Sequence, residues 1–330
     1  MRHRMRALAI GAALSLGVAQ PALAQQPACG SFPLNVTQYL ANQVSRVDAT
    51  GAVTPYFSTG GIDLGGIAMS ATGDAYVVES SNPGRVTVNG ASFATAGNSL
   101  EGAAFDGAGN LLVTSFRTNS VISVAPNGTS TTVINSGLNG VTGIALDAAG
   151  NIYVASFTAG EVRAYQPNGA LLTTWGTNGV VGGLQFPAGL AFDTDGALFV
   201  TELNQARVYR IAPGGGSRSL YLTTQIDAAG LAFDRAGNLY VTGRTLGRIY
   251  KVDRAVFTPG GNLTSAGVST FADVPRASSI AFSSLCTGPA RGPARGPDPV
   301  PTLSEWAMIL LGLLLAGGAA LHIERRRTTV

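Results

Sequence analysis

One short phrase recurs along the chain, and this repeat restricts the possible folds more than any other feature of the sequence. Each copy has a Gly, a short apolar run and an Asp, followed by a second Gly and another apolar run. The full copies begin at Gly102, Gly143, Gly189 and Gly230, a weaker copy begins at Gly66, and a fragment covers residues 279–283. The copies begin about forty residues apart, and a repeat of this length made of short strands and turns predicts a β-propeller with one blade per copy.

The copy that begins at Gly143 illustrates the four strands expected in each blade. An apolar strand leads to Asp147, where an Asp-x-x-Gly sequence favours a tight turn. The β-branched and aromatic residues at 152–155 predict a second strand, and the alternation that follows predicts a third. Residues 171–175 are then expected to form the outer strand. No segment between residues 30 and 286 has sustained helical periodicity, so the domain is predicted to be all-β.

The copies indicate six blades, one of which is shared between the two ends of the chain. Residues 34–47 align with the second and third strands of the blade that begins at Gly189, whereas residues 279–283 align only with an innermost strand. We therefore expect the N-terminal segment to supply three outer strands and the C-terminal segment to supply the innermost one, which leaves no open sheet edge. Cys29 and Cys286 flank this junction. A disulfide between them is expected, with two free thiols as the alternative.

The segments on either side of the propeller carry the features of targeting sequences. Residues 1–24 have a basic start, an apolar stretch and a small-residue cleavage site, which together predict a secretory signal peptide. The propeller itself is expected to cover residues 25–286. Residues 287–299 are rich in Gly, Pro and Arg, and they are expected to form a linker because such a composition cannot build a core. Residues 300–330 then contain an apolar run followed by an arginine cluster, and a single transmembrane helix is expected at about 306–323.

This C-terminal segment resembles the IPTL-CTERM protein-sorting domain of Gram-negative bacteria. The resemblance rests on an apolar helix, a basic cluster at 325–327, and the motif Val300, Pro301, Thr302, Leu303, Ser304, Glu305 and Trp306. It implies recognition and cleavage by an exosortase-like membrane protease, after transient anchoring in the inner membrane through the helix. The protein is then expected in the periplasm, the cell envelope or the exterior. A plain C-terminal membrane anchor is the alternative.

The basic character of the chain belongs to its targeting segments and not to the propeller. The whole chain has a net charge of +3, with 21 basic and 18 acidic residues. Several of the arginines lie in the signal peptide, the linker and the C-terminal cluster, so residues 25–286 carry a slight excess of acidic side chains. A nucleic-acid partner is therefore not expected, because such proteins usually present a basic face.

The propeller resembles the NHL and SMP-30/gluconolactonase group, which also includes virginiamycin B lyase-like proteins. The resemblance rests on the segment from Trp175 to Asp193 and on the repeated Gly-Asn-Leu-Tyr-Val phrase. It implies a six-bladed propeller but not one activity, because the group contains lactonases, lyases and binding modules. Histidine-based catalysis is excluded within the propeller, because the two histidines, His3 and His322, lie outside it.

Metal chemistry has limited support in the sequence. Glu101 resembles the glutamate that SMP-30 proteins place before the first strand of a blade to bind a divalent cation. The matching positions in the other copies, Gly65, Thr142, Ala188, Ala229 and Ser278, are poor ligands for a hard cation. The repeated Asp106, Asp147, Asp193 and Asp234 are expected to begin turns and not to bind metal. No cofactor is predicted, and Ca²⁺ or Zn²⁺ enters only under the alternative function.

One face of the ring is the expected binding face. The loops after each second strand and before each first strand should meet at one end of the channel, and they carry Tyr39, Glu79, Glu101, Phe116, Arg117, Phe157, Glu202 and Arg244. Aromatic rings with mixed charges suit a protein or carbohydrate ligand. The sequence thus predicts an exported binding module for such a partner, and the alternative is a metal-dependent lactonase or esterase that uses Glu101. Ordinary solvated loop residues are the simpler interpretation of each single side chain.

Overall fold

In the computed structural model, the chain forms an all-β, six-bladed propeller. The structure describes residues 31–61, 63–224 and 227–283. The predicted signal peptide at 1–24, the linker at 287–299 and the C-terminal segment at 300–330 lie outside these residues. No helix in the described part of the chain is long and apolar enough to cross a membrane.

Blades 1 to 3 are antiparallel sheets of four strands each. Blade 1 contains β1 (Ser31–Gln38), β2 (Gln43–Val47) and β3 (Val53–Ser58), and its fourth strand comes from the C-terminal end of the propeller. Blade 2 contains β4 (Leu64–Met69), β5 (Ala75–Glu79), β6 (Arg85–Val88) and β7 (Ala91–Thr95). Blade 3 contains β8 (Leu100–Phe105), β9 (Leu111–Ser115), β10 (Ser120–Val124) and β11 (Ser130–Ile134).

Blades 4 to 6 repeat this arrangement with local variations. Blade 4 contains β12 (Val141–Leu146), β13 (Ile152–Ser156), β14 (Glu161–Tyr165) and β15 (Val180–Val181). Blade 5 contains β16 (Pro187–Phe192), β17 (Leu198–Glu202), β18 (Arg207–Ile211) and β19 (Arg218–Thr223), with a 3₁₀ turn at Pro213–Gly215. Blade 6 contains β20 (Ala228–Phe233), β21 (Leu239–Gly243), β22 (Arg248–Val252) and β24 (Val268–Asp273). The short β23 (Gly261–Asn262) leaves blade 6 and pairs in parallel with β19 of blade 5.

The ring closes as the sequence predicts, because blade 1 is completed by the C-terminal β25 (Ala277–Ser283). Leu34 pairs with Phe282 on one side and with Val47 on the other, so β1 lies between β25 and β2. The N-terminal segment therefore supplies three strands and the C-terminal segment supplies the innermost strand. Cys29 and Cys286 lie outside the described residues, and the disulfide between them stays a prediction.

The predicted outer strand of blade 4 at residues 171–175 is wrong. This segment forms a bridge and a turn, and the outer strand is the two-residue β15. Trp175 is buried with 4% exposure, and its ring lies 5.2 Å from that of Tyr153. A large aromatic side chain gains more from this burial than from an exposed position on an outer strand, so the chain folds inward here.

The repeated Asp residues begin turns, as expected. The Oδ1 atom of Asp147 accepts hydrogen bonds from the N–H groups of Ala149 and Asn151, each at 2.9 Å. The side-chain amide of Asn151 donates to the other carboxylate oxygen at 2.8 Å. The same backbone contacts are made by Asp106, Asp193 and Asp234. These carboxylates therefore stabilise the reversals between the first and second strands.

The aromatic residues of the repeated phrase hold neighbouring blades together. The aromatic residue in the second strand of one blade packs edge-to-face on the Phe that ends the first strand of the next. The pairs are Tyr76–Phe105, Tyr153–Phe192, Phe199–Phe233 and Tyr240–Phe282, with ring centroids 5.0, 4.9, 4.9 and 5.2 Å apart. Such pairs stabilise a core beyond the area they bury, which explains why both aromatic positions recur in the phrase.

A threonine in the second strand also links adjacent blades. The Thr201 hydroxyl accepts a hydrogen bond from the Gly189 N–H at 2.7 Å and donates to the Ala229 carbonyl of the next blade at 2.6 Å. Equivalent contacts to the next blade are made by Thr37, Thr114 and Thr242. The glycine is required because the innermost strands of adjacent blades approach each other through their backbones.

Candidate functional site

The six innermost strands surround a central cavity of about 160 Å³. The fourth residues of these strands form an apolar ring in its wall, made of Ile67, Ala103, Ile144, Leu190, Leu231 and Ile280. The second residues also line the cavity, and they are the six positions that the sequence aligned, namely Gly65, Glu101, Thr142, Ala188, Ala229 and Ser278. Among the described residues that line the cavity, Glu101 and Arg244 are the charged ones.

Six equivalent residues surround one end of this cavity, and we call them the mouth ring. Each follows the second strand of its blade and donates its backbone N–H to a carbonyl just before the innermost strand, over 2.8 to 3.1 Å. The mouth ring consists of Tyr39, Ser80, Phe116, Phe157, Leu203 and Arg244. The carbonyls belong to Arg276, Asp63, Ser99, Gly140, Phe186 and Asp227, in the same order. One backbone contact thus places six different side chains at corresponding positions.

The order of the blades divides the mouth ring into two arcs. Phe116, Phe157 and Leu203 are consecutive and form an apolar arc, whereas Arg244, Tyr39 and Ser80 are consecutive and form a polar arc. The Phe116 and Phe157 rings are 6.2 Å apart at an interplanar angle of 65°. Phe186 extends the apolar arc, with its ring 5.0 Å from Phe157, and it is 41% exposed.

Glu101 lies at the polar side of the mouth, and the pKa of its carboxyl group is raised. Burial is the main cause that raises its pKa to about 7; the charge of Asp63 adds to this increase, and the hydrogen bond from Ser80 and the charge of Arg244 oppose it. The Ser80 hydroxyl lies 3.0 Å from Oε1 of Glu101 and 2.6 Å from the Ser99 hydroxyl. Burial also raises the pKa of Asp63, although Arg244 opposes this. Two carboxylates therefore share the field of one guanidinium.

Arg244 is held in place from two directions. Its guanidinium carbon lies 4.3 Å from the centroid of the Tyr39 ring, a cation–π contact between neighbouring blades. Its backbone N–H donates to the Asp227 carbonyl at 3.1 Å, and the Thr245 hydroxyl contacts the Asp227 carboxylate. The predicted site residues Tyr39 and Arg244 thus lie in the polar arc, and Glu101 contacts this arc through Ser80.

Glu79 and Glu202 occupy equivalent positions, as the sequence indicates, but both are buried with 1% exposure. Each faces an arginine across the second and third strands, Arg85 at 3.4 Å and Arg207 at 3.9 Å. Oε1 of Glu202 also accepts the Gln185 N–H at 2.7 Å. Both carboxylate oxygens of Glu79 and Oε2 of Glu202 are buried without a hydrogen-bond partner among the described residues, and ligand binding by these two side chains stays a prediction.

The remaining predicted residues and two missed positions complete the face. Arg117 is exposed on the loop after β9, next to Phe116. Sequence reasoning missed Ser80 and Leu203, which directly follow Glu79 and Glu202 in the way that Phe116 follows Ser115. Aligning the copies of the repeat with one another would have placed Ser80 and Leu203 at the same position as Phe116. Their small or aliphatic side chains carry no chemical signal of their own.

The donors at the mouth do not fit a dedicated metal site. In the ranges that the structure describes, no three His, Cys, Asp or Glu side chains are grouped as ligands for one ion. Glu101 and Asp63 are two carboxylates, whereas Ca²⁺ takes roughly six to eight oxygen ligands. The Ser80 hydroxyl already donates to Glu101.

The raised pKa of Glu101 gives a prediction for stability. Between the ordinary pKa of 4.5 and about 7, the unfolded chain loses this proton while the folded chain keeps it, so this carboxyl makes folding less favourable as the pH rises. Glu101→Gln removes the titration. We expect the variant to be more stable than wild type by about 2 kcal/mol at pH 8 and nearly equal to it at pH 5, in urea unfolding. Glu161→Gln is the matched control, and the same difference at both pH values would contradict the prediction.

Two short segments of the chain match known sequence families. Residues 298–327 match the IPTL-CTERM motif, and residues 220–251 match the SBBP β-propeller repeat. The motif implies an exported protein that is sorted to the cell envelope and processed by a sorting system such as an exosortase. The second match agrees with the position of blade 6 and supports a propeller repeat. It does not single out the NHL or SMP-30 subtype, which stays a prediction.

Solved structures with a similar fold have varied roles and low sequence identity. A protein of unknown function from Bacteroides caccae is 18% identical with a TM-score of 0.57, and the match covers 76% of this chain and 98% of that one. A structure of a nidogen–laminin complex is 16% identical with a TM-score of 0.61, and the match covers 75% of this chain and 97% of that one. A catalytically inactive virginiamycin B lyase from Staphylococcus aureus with quinupristin is 13% identical with a TM-score of 0.52, and the match covers 76% of this chain and 88% of that one. These similarities show the fold alone. A sequence comparison with curated proteins finds no match.

Proposed function

We propose that this chain is an exported binding module that holds a protein or carbohydrate partner at the cell envelope through its mouth ring. The observation that carries the proposal is the division of the mouth ring into an apolar and a polar arc around one cavity. Aromatic and apolar contact area with a few converging polar groups is the usual composition of a recognition site. The scaffold supports it, because six backbone contacts hold the arcs in place.

The C-terminal segment supports the location of this activity. The IPTL-CTERM motif at residues 298–327 implies export and sorting. We propose that the predicted helix at about 306–323 holds the chain in the inner membrane, with its arginines on the cytoplasmic side, until an exosortase-like protease cleaves it.

A metal-dependent lactonase or esterase of the SMP-30 type is the less supported alternative. It depends on Glu101 as a metal ligand, and within the described residues Glu101 has one neighbouring carboxylate, Asp63, and no third acidic, His or Cys ligand. Binding therefore explains the arrangement better than metal-assisted hydrolysis.

Site-specific photocrosslinking in the cell envelope tests the proposed face. A photoreactive phenylalanine analogue at Phe186, which is 41% exposed beside the apolar arc, should capture a partner. The matched control carries the analogue at Ala149, an exposed residue in the turn at the opposite end of the innermost strands. We expect about tenfold more crosslinked product from the first position. Equal crosslinking at both positions would overturn the assignment of this face.

A further inference from the structure

We propose that the mouth receives a positively charged group on an apolar stem, namely the side chain of a lysine or arginine that a protein partner presents. This inference rests on the proposed function, because it names the chemistry of the partner at the same mouth. Three features of the described residues carry it: the charge balance at the polar arc, the size of the cavity, and the shape of the apolar surface around it.

The charge balance at the polar arc favours a cation. Asp63 raises and Arg244 lowers the pKa of Glu101, and Arg244 also lowers the pKa of Asp63, so the two carboxylates act with one guanidinium. The Arg244 guanidinium is itself placed over the Tyr39 ring, 4.3 Å from its centroid. When both carboxylates are ionised, this group therefore has one negative charge in excess. A ligand cation would restore the balance, whereas an anion would meet a like charge at a partly desolvated site.

The cavity has the size of a single side chain. Its volume of about 160 Å³ lies below the roughly 300–1,000 Å³ that is usual for sites that enclose a whole small-molecule ligand. Leu203 of the apolar arc lines the same cavity as Glu101 and lies at its mouth, so it would contact the stem of an entering lysine or arginine. Such side chains bury their methylene groups and keep the charged end beside a carboxylate. The rest of the partner must lie outside the cavity.

The surface around the mouth fits a protein better than a sugar. Leu40, Leu246 and Phe186 are 51%, 43% and 41% exposed on loops of the mouth face. The Phe116–Phe157 and Phe157–Phe186 ring pairs, with interplanar angles of 65° and 42°, form an uneven aromatic surface next to them. Aromatic rings and arginine are enriched at protein interfaces, and both occur on this face.

The same geometry predicts how binding depends on pH. A cation beside Glu101 favours the ionised carboxylate, so binding is coupled to release of the proton that burial retains. The charged groups that act on Glu101 are Asp63, on the segment before β4, and Arg244, after β21. Burial also raises the pKa of Asp63, although Arg244 opposes this. Affinity for a cation should therefore increase as the pH passes through about 7.

Calorimetric titration with three small probes tests this proposal on the full chain in detergent. The first probe is a capped phenylalanine–lysine dipeptide, the second replaces lysine with the neutral norleucine, and the third is glucosamine. We expect the lysine dipeptide to bind about tenfold more tightly than the norleucine dipeptide, and about tenfold more tightly at pH 8 than at pH 6. Glu101→Gln and Asp63→Asn should each remove most of this preference, whereas Glu161→Gln should keep it.

Several outcomes would overturn the proposal without touching the proposed function. Equal binding of the lysine and norleucine dipeptides would exclude a cation, and absence of measurable binding of any probe at about 10 mM would do the same. Tighter binding of glucosamine than of the lysine dipeptide would replace the protein partner with an amino sugar. In each case, photocrosslinking at the Phe186 position would still report whether the mouth face holds a partner.

Discussion

Gly230→Ala is expected to lower the free energy of unfolding by about 3 kcal/mol, because the innermost strands of blade 6 and blade 1 leave no room for a methyl group. An added Cβ at Gly230 would lie 2.5 Å from the Ser278 carbonyl oxygen and 2.9 Å from the Ser279 Cα. Both atoms belong to the backbone of β25, the strand that closes the ring, so neither can rotate away. The measurement is urea-induced unfolding followed by Trp fluorescence and circular dichroism.

Gly107→Ala is the matched control for this substitution. Gly107 lies in the turn after β8, and an added Cβ there would have no atom within 4 Å. We expect a change of less than about 0.5 kcal/mol, which is usual for surface substitutions. If Gly230→Ala were as mild as Gly107→Ala, the close approach of the blade backbones would not be a determinant of ring closure.

Thr201→Val should have the second largest effect on stability, a loss of about 2 kcal/mol. The substitution keeps the shape of the side chain but removes the hydroxyl that joins the Gly189 N–H to the Ala229 carbonyl. Thr201 is fully buried, so both backbone groups would be left without this partner in a place that water does not reach. The gain from burying one more methyl group offsets only part of this cost.

Thr131→Val is the control for the loss of a threonine hydroxyl. Thr131 lies in β11, the outer strand of blade 3, where its side chain is exposed. Unfolding in urea should show little change for this variant and a clear decrease in midpoint for Thr201→Val, with the same slope. A decrease of equal size in both variants would show that β-propensity and not the link between blades determines the result.

The site was only partly predictable from the residues. Register within the repeat gives Tyr39, Phe116, Phe157 and Arg244 corresponding places, and the structure places all four in the mouth ring. The same register cannot show that Glu79 and Glu202 are buried, because their burial depends on the arginines across the strands and on the loops that cover them. Nor could it indicate the two arcs, since these depend on which blades are neighbours around the closed ring.

The fold, like the site, could be predicted from the sequence only in part. The copies gave the number of blades and the shared blade 1, but the outer strand of blade 4 lies at Val180–Val181 and not at 171–175. Strand propensity favoured the earlier segment, and the burial of Trp175 against Tyr153 overrides it. The parallel addition of β23 to blade 5 had no signal in the repeat, because it joins segments that belong to different copies.

The sequence by itself determined the repeating unit, the closure of the ring by both chain ends and the sorting motif, because each of these is a local pattern of residues that recurs or stands alone. The tertiary structure alone decided the volume of the cavity, the raised pKa of Glu101 and the separation of the mouth into an apolar and a polar arc. The reason is that desolvation and charge balance depend on distances between side chains that are far apart along the chain. Only the closed ring brings these side chains together.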